Sequence, residues 1–316
     1  MIIVDAHCDT LMALAEPDNG FTMGKALHVT EASLREGGIT LQICALFAGA
    51  AGPNGTGKNA PRAQADAQLQ ALPQLLAGGV KKVDSPFDVS PGQPHVMLSI
   101  EGGEIIGDSL DVLRHFRKQG IRLFALTWNH ENLLGYPHCA GGKSRLKPFG
   151  WDVVRELARL SVAVDVSHLG EGGFWDLVFH AEKPPMASHS CCRKLCSNTR
   201  NLTDDQIRAL IEVDGWIGVN FYPSFLCETG KADIDILVSH FEHIAELGGI
   251  RHMGFGSDFD GIDTVPAGLE HPGKVPSLLT ALRSHGFSED EVEGIAGENF
   301  LRYMRQFEAG VDGSTL

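Results

Sequence analysis

The chain has 316 residues, 43% of them hydrophobic, and a formal net charge of −14. That apolar content supplies a large core, and the acidity argues against nucleic acid, whose phosphates the chain would repel. With a mean hydropathy of −0.04 and no uninterrupted apolar run of about 20 residues, no membrane span and no membrane partner are expected. The seven cysteines are an odd number and read as reduced thiols, not as a disulfide framework. The start carries no basic leader and the end no hydrophobic anchor tail, so a cytoplasmic protein is expected.

Eight apolar runs read as strands, at 2–7, 40–47, 95–100, 122–127, 162–167, 185–189, 216–221 and 252–257. Several are continuous and not alternating, the pattern of parallel strands buried on both faces. Helix candidates lie between them at 63–76, 109–119, 153–161, 203–213 and 234–247, and Thr203-Asp204-Asp205-Gln206 reads as a capping box. The stretches 49–57 and 137–148 read as long loops, and 288–307 as closing helices that start at Ser288. The alternation predicts an α/β fold, a (β/α)8 TIM barrel of the metal-dependent hydrolase type. One domain is expected over 1–316, since such barrels run to roughly 250 residues or more without a linker.

In such a barrel the chemistry sits where strands end. The first run ends at His7 and Asp9, two positions apart, which a strand would point to one side. The third run ends at Glu101-Gly102-Gly103, the fifth at Ser167-His168, the sixth at Ser188-His189-Ser190 and the eighth at Asp258-Phe259-Asp260-Gly261. Histidines and carboxylates converging on one mouth form a ligand set suited to zinc, and a bidentate carboxylate such as Glu101 is placed to bridge two ions. Other motifs read as structure. Residues 52–59 imitate a phosphate loop, but Asn59 stands where a Ser or Thr is required. Cys191, Cys192 and Cys196 read as packed thiols, His240 and His243 as a helix face, and Cys8 as packing.

In combination these tips, with Asn220-Phe221-Tyr222, resemble the membrane dipeptidase (renal dipeptidase, peptidase M19) family of amidohydrolase-like metal barrels, over nearly the whole chain from Asp5 to Arg302. The resemblance implies one zinc on His7 and Asp9, a second on His168 and His189, and Glu101 with a water or hydroxide bridging both. It implies that Asp258 is the general base and acid, with Glu101 also in the catalytic set, and that Arg200 holds the substrate carboxylate. Tyr222 and Phe225 would line the substrate pocket. One departure stands out: Trp128 occupies the position after the fourth strand where mammalian members carry a substrate-contacting histidine, with Asn129 and His130 following, and Trp128 and His130 are expected among the substrate-binding residues. The implied reaction is hydrolysis of dipeptides, L,L and also L,D, by a metal-bridging hydroxide, and relatives suggest a homodimer. The competing readings are an amidohydrolase acting on N-acyl-D-amino acids or β-lactams, and a binding barrel that has lost catalysis.

Overall fold

The computed structural model describes residues 1–16, 26–49, 60–141 and 144–308. Apart from Gly49, the loop expected at 49–57 and the phosphate-loop imitation at 52–59 lie outside the described residues. The strands are β1 (Val4–Cys8), β2 (Leu41–Phe47), β3 (Lys81–Lys82), β4 (His95–Glu101), β5 (Ile121–Ala125), β6 (Ala163–Asp165), β7 (Met186–Ala187), β8 (Trp216–Val219) and β9 (Met253–Phe255). All pair in parallel, and eight of them close a barrel in the order β1-β2-β4-β5-β6-β7-β8-β9, with β9 returning to β1. The fold is therefore the expected (β/α)8 barrel, and each of the eight apolar runs contributes one barrel strand. The strand that was not expected, β3, is two lysines long; it pairs with the start of β4, on the edge that β5 takes from Leu98 onward.

The continuous apolar runs reflect full burial: every residue of β1, β2, β4 and β5 is buried. Helices outside the barrel cover it with apolar faces, as Leu110–Lys118 does with Leu113 and Phe116. Both capping signals hold, with reciprocal bonds between Thr203 and Gln206 and between Ser288 and Glu291. Among the helices not anticipated, the two longest are Glu171–His180 and Val275–Ser284, and Thr10–Ala15, Glu31–Glu36 and Pro223–Leu226 are shorter. Gly172 disguised the first of these; a Cβ there would lie 2.7 Å from the Ser144 carbonyl oxygen, so this glycine is a packing requirement and not a break. The segment read as a loop at 137–148 contains a short turn at His138–Ala140 and ends at Pro148, which opens the helix Pro148–Arg159.

The two ends of the barrel are built for different tasks. The N-terminal end is apolar: Val4, Leu41, Met97 and Trp216 pack there against Phe300, Tyr303 and Phe307 of the closing segment. Tyr303 Oη donates to the Pro184 carbonyl at 2.8 Å. The C-terminal end carries the charged residues described below. No helix among the described residues is long and apolar enough to cross a membrane.

The residues read as structural are packed as expected. Cys8 and Cys44 are buried side by side with their sulfurs 3.6 Å apart. His240 is fully buried; its Nδ1 accepts from the Cys192 amide at 3.1 Å, and its Nε2 donates to the Leu226 carbonyl at 2.9 Å. His243 reaches Asp204 at 2.8 Å.

Candidate active site

Six strand-tip groups meet at one mouth. His7 is in β1 and Asp9 is the N-cap of the helix Thr10–Ala15. Strict strand alternation does not bring them together: β1 shifts register between Asp5 and Cys8, and Asp9 has left extended backbone at φ −106, ψ 21. His7 Nε2 lies 3.4 Å from Asp9 Oδ2, 3.4 Å from Glu101 Oε2 and 3.8 Å from Asp258 Oδ1. The other oxygen of Glu101, Oε1, lies 2.9 Å from His168 Nε2 and 3.5 Å from His189 Nε2. The ligand atoms of His7, Asp9 and Glu101 all fall within 4.8 Å of one another, and so do those of Glu101, His168 and His189. Glu101 belongs to both groups, with one oxygen turned to each.

Buried partners aim the imidazoles. Asp165, the last residue of β6, accepts from the amides of Ser167 and Ser188 at 2.8 and 2.9 Å, and from Ser188 Oγ. Ser188 Oγ has then spent its proton, so at 2.7 Å it accepts from His189 Nδ1, which leaves the Nε2 lone pair facing Glu101. His168 Nδ1 stands 2.8 Å from Asn129 Oδ1, an acceptor, and its Nε2 lone pair is freed the same way. The device that holds Ser188 recurs across the barrel: Asp5 of β1 accepts from the amide of Ser257 at 2.8 Å and from Ser257 Oγ. Sequence reading missed Asp5, Asp165, the role of Asn129, and His138. The first two were visible as a charge inside an apolar run; the last two lie in loops, and only the fold pairs them with His168.

The chemistry of these donors fits divalent cations. His7 Nε2 and Asp9 Oδ1 are buried without a hydrogen-bond partner, a cost that a cation between them would remove. Burial pushes His168 down to about 3, with the Arg200 charge adding to the effect, and holds His189 well below the ordinary imidazole value. Both rings are therefore neutral, the form that ligates metal. Burial also raises Asp9, to about 8, and Glu101 adds to the shift. Burial alone would lower His7, but Glu101 and Asp9 outweigh it and hold the ring well above its usual value. Burial opposes charge on Glu101, yet the charge of His7, the largest influence against it, keeps the carboxylate well below its usual range. Such a cluster takes up a cation in exchange for protons.

Asp258 Oδ2 accepts from Asn220 Nδ2 at 2.9 Å, and burial raises its pKa. His168 (φ 75) and Asp258 (φ 66) both occupy the left-handed region, strain of the order of 1–3 kcal/mol each that clusters at functional sites. A cavity of 260 Å³ opens above the carboxylates, walled by Met12, Phe47, Trp128, Asn129, Tyr222 and Phe225 among others. Its size suits a small ligand, at the low end of small-molecule pockets. Gly261 belongs to this wall; a Cβ there would lie 2.0 Å from Asp9 Oδ2.

Of the expected substrate residues, Trp128, Tyr222 and Phe225 wall the cavity. His130 does not: it is exposed, its ring 5.5 Å from that of Trp128, and the neighbouring Asn129 faces the cavity in its place. Arg200 is 5% exposed and stands behind Phe225, with its guanidinium carbon 5.4 Å from the ring centre. Its Nη2 donates to the His189 carbonyl at 3.2 Å, its Nε has no partner, and it lines an adjoining cavity of 150 Å³ with His138 and His168.

The profile of the membrane dipeptidase family (peptidase family M19) matches residues 1–314. An uncharacterised dipeptidase of Schizosaccharomyces pombe is 38% identical over 226 residues, 70% of this chain and 55% of that protein. The dipeptidase aclJ of Aspergillus oryzae is 34% identical over 249 residues, 76% of this chain and 58% of its own length. The chain thus spans little more than half the length of these curated relatives. Among solved structures, a metallopeptidase from Rhodobacter sphaeroides liganded with a phosphinate mimic of the dipeptide L-Ala-D-Ala superposes with a TM-score of 0.84 at 25% identity, covering 97% of this chain and 99% of that one.

Proposed function

The chain belongs to the membrane dipeptidase family, peptidase family M19, and we propose that it is a binuclear zinc dipeptidase that cleaves L,L and L,D dipeptides in the cytoplasm. The observation that carries this reading is Glu101, one carboxylate shared by two ligand groups. His7 and Asp9 would hold one ion, His168 and His189 the other, and Glu101 both. Bound there, the pair supplies Lewis acidity and lowers the pKa of a water from 15.7 toward 7.

The protein's own residues do the rest. Asp258, 3.8 Å from His7 and with its pKa raised by burial, accepts the proton of the attacking water and returns it to the leaving nitrogen. Asn220 holds the second oxygen of Asp258, which fixes the direction of transfer. Arg200, with its unpaired Nε, takes the substrate carboxylate in a charge-assisted bond. Phe47, Trp128, Tyr222 and Phe225 exclude water around the side chains of a short substrate. The L,D activity is supported by the ligand of the Rhodobacter sphaeroides relative, a mimic of L-Ala-D-Ala. The cytoplasmic placement rests on buried, unbridged thiols such as Cys8 and Cys44.

The test is hydrolysis of matched L,L and L,D dipeptides, each beside its N-acetylated form, with and without added zinc. Zinc-dependent cleavage confined to the free dipeptides supports the reading. Cleavage of the acetylated forms alone makes the enzyme a deacylase, and inactivity on both sets with metal loaded overturns the proposal.

A further inference from the structure

Asn129 follows the tryptophan that replaces the family histidine, and its amide sits between two imidazoles. Its Oδ1 lies 2.8 Å from His168 Nδ1 and 3.1 Å from His138 Nε2. The other nitrogen of His138, Nδ1, is 2.7 Å from Thr199 Oγ1. With a cation on His168 Nε2, one assignment of protons satisfies all three contacts. The ligating Nε2 offers its lone pair, so Nδ1 carries the proton and donates to Asn129 Oδ1. Thr199 donates its hydroxyl proton to His138 Nδ1, so His138 Nε2 carries the second proton and donates to the same oxygen. An amide flipped end for end would set its NH2 against two N–H groups. Both lone pairs of Oδ1 are thereby used, and Nδ2 is turned away from the histidines.

Asn129 walls the cavity that holds Glu101, Asp258 and His168. Among the described residues, its Nδ2 makes no hydrogen bond, and it is not one of the buried atoms left without a partner. We infer that Asn129 Nδ2 is a fixed, neutral hydrogen-bond donor to the substrate's carbonyl oxygen as that oxygen becomes the oxyanion, a role that the exposed His130 does not take. A neutral amide held by two imidazoles needs no reorganisation as charge develops, the property that makes such donors effective. The cationic Arg200, on the far side of Phe225, remains for the permanent charge of the carboxylate.

The inference rests on the dipeptidase reading, and the experiment separates the two. In Asn129→Asp an oxygen facing His168 and His138 is kept, and the neutral donor is exchanged for an anionic acceptor. Wild type and variant are loaded with zinc; metal content, kcat and KM on a dipeptide, and Kd for a phosphinate pseudodipeptide are measured. Equal metal content, a kcat lower by about 10²–10³-fold, a KM within a few-fold and a phosphinate Kd weakened in parallel with kcat support the donor. Unchanged kcat and phosphinate affinity overturn it while leaving the dipeptidase reading intact. Loss of metal from the variant overturns it as well, because the amide would then act through His168. A wild-type protein that neither cleaves dipeptides nor binds the phosphinate overturns both. His138→Ala serves as the second variant: with one support of the amide gone, kcat should fall at full metal content, and an unchanged kcat counts against the fixed donor.

Discussion

Replacing Asp165 by Asn tests whether hydrogen-bond direction, and not charge alone, sets the ligand geometry. The substitution is isosteric, and the oxygen that accepts from the amides of Ser167 and Ser188 is retained. What changes is the atom facing Ser188 Oγ, now an NH2 that donates. Ser188 Oγ must then accept, and its own proton turns toward His189 Nδ1, 2.7 Å away. His189 responds by holding its proton on Nε2, the atom 3.5 Å from Glu101 Oε1, and loses the lone pair a cation needs. A group supporting a metal-bound histidine typically accounts for 10–100-fold in metal affinity, which is about 1.4–2.8 kcal/mol at 1.4 kcal/mol per tenfold. Reversal of a bond in a fully buried chain belongs at the upper end. Competition with a chelator gives the affinity, and 15N chemical shifts of the His189 ring report the tautomer directly. In a Ser188→Ala background the relay is already cut, and Asp165→Asn should add little. Affinity retained in the single variant, or an equal loss in both backgrounds, would refute the relay.

Other substitutions probe neighbouring parts. Gly261→Ala places a methyl 2.0 Å from Asp9 Oδ2 and 2.8 Å from Asp258 Oδ1; metal content should fall by about half while thermal stability holds, and full loading would show that Asp9 is not held where the ligand set requires. Asp258→Asn should keep both ions and lose most of kcat, and full turnover would remove Asp258 from proton transfer. Arg200→Ala should raise KM for dipeptides about 10–100-fold, the loss of one charge-assisted bond of about 1.5–3 kcal/mol; an unchanged KM would count against the carboxylate clamp. His240 tests pH dependence away from the site. Burial holds it at about 4, against 6.5 when unfolded, so between those values the unfolded chain binds the extra proton and stability falls as pH drops. From pH 7 to pH 5 this costs about 2 kcal/mol. Denaturant titrations at both values should show a smaller acid loss in His240→Gln, and an identical loss would place the acid sensitivity elsewhere.

The barrel strands were legible because both faces of each are buried, which turns them into continuous apolar runs; β2 and β4 are the clearest cases. The five expected ligands were legible because a strand end followed by a polar residue marks the mouth. Their mutual distances were not, since those depend on the irregularity in β1 and the cap conformation of Asp9. The strand Lys81–Lys82 carries no apolar signal, and the helix Glu171–His180 opens on glycines that pack against backbone. Asn129 and His138 meet His168 only through the loops after β5, and no local pattern announces such a meeting. His130 drew attention by its type alone; its exposure shows that a histidine near the mouth need not face it.

The clamps at Asp5–Ser257 and Asp165–Ser188 span adjacent strands and lie on opposite sides of the barrel. Each ties the amide and hydroxyl of a strand-tip serine to the carboxylate of an aspartate on the neighbouring strand, so two pairs of the eight staves are fastened at their tips. The loop after β5 is different, because Asn129 in it orients His168. A designer could graft a new loop beyond Tyr222 to accommodate a bulkier substrate and expect the tips at His7 and His189 to survive, whereas a graft around Trp128 would have to keep Asn129.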